Sequence, residues 1–242
     1  MTSTSERRLV FLDANVLAAP TTRSLILRAT EHRETGFAVC WTLRAEAEAD
    51  EALIRRAAER GKRLGRMIPP VLVSTLRQRL DWGGQVIVPE APELEASLTD
   101  TDAGDRHILA AASAARAGAV ITVDVDDFGQ KDLARLGLSA ANPDLFLSWV
   151  MTPAAYKMAL ESIAAGRTLP PNTPETIHAT LAKGHPRLVE AMQQVYPGVE
   201  PVLSAATPPA ELFRGNCCLV CGKTLTDPES LAIGVGPECR KQ

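Results

Sequence analysis

The feature that most constrains this chain is a short apolar run with an acid directly behind it, met twice. Val10-Phe11-Leu12 leads into Asp13, with Asn15 two residues on, and Val120-Ile121-Thr122-Val123 leads into Asp124, Asp126 and Asp127. Runs this short and this rich in β-formers read as buried strands, not helices. Phe37 to Trp41 and Val86 to Val88 read the same way. Helical composition fills the gaps between them. Residues 16–35 form a helix or a helical pair interrupted at Pro20, and Leu43 to about Arg60 form a second helix capped by Thr42. Pro69-Pro70 are expected to stop that helix, and Val71 to Leu80 to form another before a turn at Gly83-Gly84. From Asp105 an alanine-rich helix carries Ile108, Leu109, Ala112 and Ala115 on one face and is ended by Gly118. Alternation of this kind predicts an α/β fold with a parallel sheet flanked by helices. An acid at the end of such a strand enters the crevice where open sheets bind ligands, although Asp13 alone reads equally well as a helix cap.

The strands are expected to stop after Gly137. Residues 7–137 are read as the α/β domain and 138–196 as a helical extension, with helices over Asp144 to Ile163 and Pro174 to Val195 separated by Pro170-Pro171. Residues 197–215, with Pro197, Pro201, Pro208 and Pro209, are read as a linker, and 216–242 as a separate small unit hinged off the rest. At 45% hydrophobic and 23% charged, with a net charge of -3, the chain is an ordinary globular protein with no overall attraction for nucleic acid. Any such contact needs a local basic patch. Arg55, Arg56, Arg60, Lys62, Arg63 and Arg66 offer one. The same residues also read as a solvated helix face partly paired with Glu51 and Glu59, or as a contact for an acidic protein segment. No apolar run is long enough for a bilayer and the polar start lacks a secretory core, so a cytoplasmic protein without a membrane partner is expected.

Asp13, Asp105, Asp124 and Asp127, with Glu46 or Glu48 from the helix after the second strand, could meet at one crevice of a parallel sheet. Crowded carboxylates raise one another's pKa, and a hard divalent cation with oxygen ligands is the usual compensation. The competing reading for each acid is a cap or a solvated charge, and it is strongest for Asp105, which opens a helix.

Three stretches carry a family resemblance. Leu12-Asp13-Ala-Asn15-Val-Leu17 resembles the opening Asp-x-Asn motif of PIN-domain ribonucleases, and Asp102-Ala-Gly-Asp105-Arg-His-Ile-Leu-Ala-Ala-Ala112 resembles their central acidic motif. Ile121-Thr122-Val-Asp124-Val-Asp-Asp127-Phe128 is similar to their Thr-x-Asn/Asp-x-x-Asp-Phe motif, and Asn142-Pro-Asp-Leu-Phe-Leu147 to the tail of a VapC-type toxin subgroup. The resemblance covers about residues 7–195. It implies a PIN-like fold in which Asp13, Asp105 and Asp124 hold Mg²⁺ or Mn²⁺ and Asp127 joins or supports them. Asn15 and Thr122 then orient the acids, and Glu48, with Glu46 the alternative, is the remaining acid. Asp102 is a flanking cap and His107 packs beside the site. The implied activity is metal-dependent hydrolysis of RNA phosphodiesters by the toxin of a toxin–antitoxin pair, with a cognate antitoxin and a homodimer as expected partners. The alternatives are an RNA-processing nuclease without an antitoxin and a catalytically silent binding protein.

Of five cysteines, Cys40 lies alone while Cys217, Cys218, Cys221 and Cys239 crowd the C-terminus, a metal pattern more than a disulfide framework. Cys218-Leu-Val-Cys221-Gly-Lys is half of a zinc knuckle. With Leu225-Thr-Asp-Pro-Glu-Ser230 and Gly234-Val-Gly-Pro237 before Cys239, it resembles small zinc-ribbon-like modules of unassigned function. Zn²⁺ held by Cys218, Cys221 and Cys239 is expected, with the fourth ligand open among Cys217, Asp227, His178 and His185.

Overall fold

The computed structural model describes residues 7–32, 34–65, 67, 86–166, 172–201 and 207–241. The helix expected over Val71 to Leu80, the Gly83-Gly84 turn, Pro69-Pro70, Pro170-Pro171 and Arg66 lie outside the described residues. The first half runs β1 (Arg8–Leu12), α1 (Ala14–Leu17), α2 (Pro20–Thr30), β2 (Phe37–Trp41), α3 (Leu43–Leu64), β3 (Val86–Ile87), α4 (Pro92–Ala96), α5 (Arg106–Ala114) and β4 (Ala119–Ile121). A 3₁₀ turn at Val125–Asp127 leads to α6 (Gln130–Leu136), β5 (Ser139–Ala141), α7 (Pro143–Val150), α8 (Pro153–Gly166), α9 (Pro174–Leu181) and α10 (Pro186–Ala191). The C-terminal part adds β6 (Phe213–Gly215) and α11 (Pro228–Ile233).

The strands form one sheet in the order β3-β2-β1-β4-β5-β6. The first five are parallel, and β6 pairs antiparallel with β5. The chain winds outward from β1 to β3 and then returns to the other side of β1 as β4. The switch point between β1 and β4 therefore opens a crevice at their C-terminal ends. Val10, Phe11, Leu12, Val120 and Ile121 are wholly buried, together with Leu25 and Ile26 of α2 and Ile108 and Leu109 of α5. Burial on both faces is why these strands read as unbroken apolar runs.

Local chemistry sets the element ends. Pro20 stands at the first position of α2, where its missing N–H costs nothing, so residues 16–35 are a helical pair. Thr42 Oγ1 accepts from Ala45 N at 3.1 Å and caps α3. That helix continues past Arg60 through the buried Gly61, and Gly65, at φ 62°, ends it ahead of the proline pair. Helix α5 closes at Ala115 and not at Gly118. Gly118 instead leaves room for Arg8: a Cβ there would run into the guanidinium.

Five expectations for the second half are corrected. Strands do not stop at Gly137, because β5 follows at once. Asp144 to Ile163 is two helices, broken where Pro153 starts α8, and Pro174 to Val195 is also two, broken before Pro186. Residues 213–215, expected as linker, are strand β6. The unit at 216–242 is not hinged off. Arg8 Nη1 donates to Cys218 O at 2.5 Å and also to Leu219 O, while Nη2 donates to Gly118 O. Ser139 Oγ donates to Cys217 O at 3.0 Å and accepts from Cys217 N at 2.9 Å, and Leu219, Leu225 and Val235 share the main core. An uncovered β5 would present a row of unpaired backbone groups, and β6 removes that edge. No helix among the described residues is long and apolar enough to cross a membrane.

Candidate functional site

The β1–β4 register pairs Leu12 with Ile121, and Asp13 N continues the ladder with a 3.0 Å bond to Ile121 O. Asp13 thereby comes to lie beside Thr122. Asp13 Oδ1 accepts from Ala14 N and caps α1, while Oδ2 accepts from Thr122 Oγ1 at 2.7 Å. The same Thr122 oxygen accepts from Asn15 Nδ2 at 3.0 Å and from Asp124 N at 3.1 Å. Asn15 Nδ2 also donates to Asp124 Oδ2 at 3.0 Å, and its Oδ1 accepts from Val123 N at 3.2 Å. Asp13, Asn15, Thr122 and Asp124 are thus one hydrogen-bonded quartet, and the cap reading of Asp13 holds alongside it.

A second set of bonds brings Asp105 and Asp127 to the same end of the sheet. Asp132, buried in the first turn of α6, accepts from the N–H groups of Thr99, Asp100 and Thr101 at 3.1, 2.9 and 3.0 Å. These bonds hold its carboxyl below the usual range against the opposing effect of burial. Asp102 N donates to Asp127 O at 2.8 Å and Gly129 N to Thr101 Oγ1 at 3.2 Å. A Cβ on Gly129 would overlap the Asp100 backbone, so the two loops meet only because that side chain is missing. Asp102 Oδ1 accepts from Gly104 N at 2.8 Å, the flanking role expected of it. Asp132 was not anticipated; its signal was an acid in the first turn of a helix behind Gly129.

Burial, with Asp105 and Asp124 nearby, pushes Asp13 up to about 6 despite the Thr122 bond. Burial, Asp127, Asp102 and Asp124 do the same for Asp105, also to about 6. Asp127 is raised in the same sense by burial and then by Asp124. The acids share one field but stay spread. Among the described residues, no three of them bring ligand atoms within 4.8 Å of one another. Mutual repulsion of the carboxylates opposes a closer approach.

The two glutamates part company. Glu46 is buried and accepts from Trp41 Nε1 at 2.9 Å. Glu48, half-buried, lies 3.2 Å from Arg44 Nε and 3.3 Å from His107 Nε2. The His107 ring is 1% exposed and its Nδ1 faces Gly104 O at 2.8 Å, which makes Nδ1 the donor. His107 therefore packs beside the site, as expected, and its Nε2, which makes no hydrogen bond among the described residues, faces the Glu48 carboxylate.

On α3 the side chains of Arg55, Arg60, Lys62 and Arg63 are exposed and make no ion pair among the described residues. Arg56 Nη1 donates to Ala18 O at 3.0 Å, at the far end of the short helix that Asp13 starts. The alternative reading, partial pairing with Glu51 and Glu59, has no ion pair among the described residues.

Cys218, Cys221 and Cys239 place their sulfurs within 4.8 Å of one another. Gly222, at φ 74°, turns the chain behind the first pair, and Gly236 N points at Cys218 Sγ from 3.5 Å. Burial pushes the Cys218 thiol up, but N–H groups of Gly236, Cys221 and Val220 outweigh it and leave the thiol below its ordinary value. The four candidates for a fourth ligand are engaged elsewhere. Cys217 Sγ points to Gly137 O at 3.2 Å, Asp227 caps α11 through Ser230 N at 2.8 Å, His178 Nδ1 meets Tyr156 OH at 2.8 Å, and His185 Nε2 meets Thr22 Oγ1 at 2.8 Å.

Residues 207–242 match a family of unknown function (DUF6011). Comparison with curated proteins gave no match, and neither did comparison with solved structures.

Proposed function

We propose that the chain is a divalent-metal-dependent ribonuclease with a PIN-like fold, acting at the crevice between β1 and β4. The observation that carries this reading is the quartet of Asp13, Asn15, Thr122 and Asp124, set at the switch point of a parallel sheet with Asp105 and Asp127 beside it. The donor set is all oxygen, and burial together with neighbouring acids raises the Asp13 and Asp105 carboxyls, which fits Mg²⁺ or Mn²⁺ held by Asp13, Asp105 and Asp124. A divalent ion there supplies Lewis-acid stabilisation of the charge that develops on a phosphodiester oxygen. Thr122 and Asn15 fix the carboxylate orientations, and a carboxylate oxygen takes the proton of the attacking water as the new P–O bond forms and the ribose oxygen leaves. Arg55, Arg60, Lys62 and Arg63 of α3, exposed and without an ion pair among the described residues, give an RNA backbone a track beyond Arg56, which reaches Ala18. Glu48, the remaining acid of the resemblance, lies outside this set, against His107.

In the same reading the cysteine triad holds Zn²⁺, since three thiolates suit zinc and carboxylates do not compete for it. The VapC resemblance adds a toxin role restrained by an antitoxin. The test of activity is incubation of the purified chain with total RNA and with DNA, with and without Mg²⁺ or Mn²⁺. RNA cleavage only with the ion supports the reading, and cleavage unaffected by chelation refutes it. Growth arrest on expression in bacteria, lost in Asp13→Asn, tests the toxin role.

A further inference from the structure

Arg214, just ahead of the cysteine unit, reaches the turn that carries Asp124 and Asp127. Arg214 lies in the middle of β6, opposite Ala140 of β5. Its Nη1 donates to Asp126 O at 3.1 Å and Phe128 O at 3.3 Å, and its Nη2 donates to Asp126 Oδ1 at 2.5 Å. The next residue, Gly215, donates its N–H to Gln130 Oε1 at 3.1 Å. The guanidinium therefore spans the 3₁₀ turn that presents Asp124 and Asp127. That turn carries three acids in four residues and holds itself together by only two backbone bonds, Asp127 N to Asp124 O at 3.2 Å and Phe128 N to Val125 O at 3.3 Å. Asp102 N on Asp127 O and Gly129 N on Thr101 Oγ1 tie the turn to the neighbouring loop, and the planar fork of Arg214 adds two carbonyls and one carboxylate to what holds it closed. On its other side β6 continues into Cys217, locked to Ser139, and then directly into Cys218 of the triad. Three residues separate the fork on the acidic turn from the first sulfur.

We propose that Arg214 is the positioning residue through which the cysteine unit holds the acidic turn in place, so that metal occupancy of the triad and divalent-ion affinity of the crevice are coupled. The proposal rests on the crevice being a divalent-ion site. The coupling between the two bound ions is reciprocal by thermodynamic necessity: the factor by which one changes the other's affinity is the same in both directions.

The test uses the full chain loaded with zinc and compares wild type with Arg214→Gln, Arg214→Lys and Cys221→Ser. Mn²⁺ affinity is read by electron paramagnetic resonance, zinc content by metal analysis, and closure of the turn by hydrogen exchange across residues 124–129. For Arg214→Gln we expect a roughly tenfold loss of Mn²⁺ affinity, faster exchange in the turn and unchanged zinc content. Arg214→Lys restores the charge without the fork and should recover only part of the loss. Cys221→Ser, which opens the triad, should weaken Mn²⁺ binding in the same direction. Wild-type exchange and wild-type Mn²⁺ affinity in Arg214→Gln would overturn the proposal, as would Mn²⁺ affinity indifferent to Cys221→Ser. A wild-type chain that binds no Mn²⁺ would remove the crevice reading instead, and exchange in the turn then decides the brace: unchanged in Arg214→Gln, it is refuted.

Discussion

The hydroxyl of Thr122 uses all of its hydrogen-bonding capacity inside the site, donating once to Asp13 and accepting from Asn15 and Asp124. Thr122→Val keeps the shape and removes all three bonds. We expect it to lower RNA cleavage and Mn²⁺ affinity by about 10–100-fold, and Thr122→Ser to keep most of both, measured side by side on the two variants. Asp132 works differently. Asp132→Ala leaves three backbone N–H groups without their acceptor and should cost about 3 kcal/mol in urea unfolding; a loss below about 1 kcal/mol would show that the loop does not depend on it. The contrast explains what was legible in the sequence. Asp13, Asn15, Thr122 and Asp124 stand directly behind strands, so the local pattern names them. Asp132 takes its meaning from residues 99–101, some thirty positions away, and Arg214 from a turn still more distant, and no local pattern reports such partners. Glu46 and Glu48, two apart on one helix, are separated by Trp41 and His107, contacts that only the packed structure supplies.

Strands β1, β2 and β4 and helices α2, α3 and α5 were readable because each carries an apolar run or stripe of sufficient length. Strands β5 and β6 are Ser-Ala-Ala and Phe-Arg-Gly, three residues each, too short for any period. They are strands because a sheet edge is there to receive them. The breaks at Pro153 and Pro186 fall inside stretches of continuous helical composition, where a proline at the first position of a new helix looks no different from one tolerated in a longer helix. Between α10 and α2, His185 Nε2 meets Thr22 Oγ1 at 2.8 Å, and burial pulls the ring down to about 4. The folded ring is neutral, and between that value and an unfolded value of about 6.5 the unfolded chain binds more protons, so this contribution to stability is lost as pH falls through that window. Asp13 and Asp105, raised to about 6, act in the opposite sense over nearly the same range. The difference between wild type and His185→Gln isolates the histidine. The stability advantage of wild type over His185→Gln should shrink steadily from pH 7 to pH 4 in thermal unfolding. A difference independent of pH would contradict the assignment.

At the scale of the whole molecule, the sheet, the acidic crevice and the cysteine unit belong to one body. Arg8 at the start of β1 holds the Cys218-Leu219 backbone, β6 closes the sheet, and Arg214 spans the acidic turn. The chain's prolines point to a hinged tail, yet the residues that dock it, Arg8 in β1, Ser139 in β5 and Asn142, whose N–H donates to Leu212 O at 2.8 Å, are far apart in the chain and carry no mark of the tail in their surroundings. A chain ending at Val195 would lose β6 and expose the edge of β5. We expect it to unfold without the single cooperative transition of the full chain and to be inactive; a soluble, cooperatively folded and active fragment would contradict this. The central claim remains that the crevice between β1 and β4 is a metal-dependent nuclease centre. Its most direct test is the rate of RNA cleavage in Mg²⁺ by wild type, Asp13→Asn and Asp105→Asn, each checked by circular dichroism for an intact fold. The account predicts cleavage by wild type and none by either folded variant. Cleavage at the wild-type rate by both variants would contradict it.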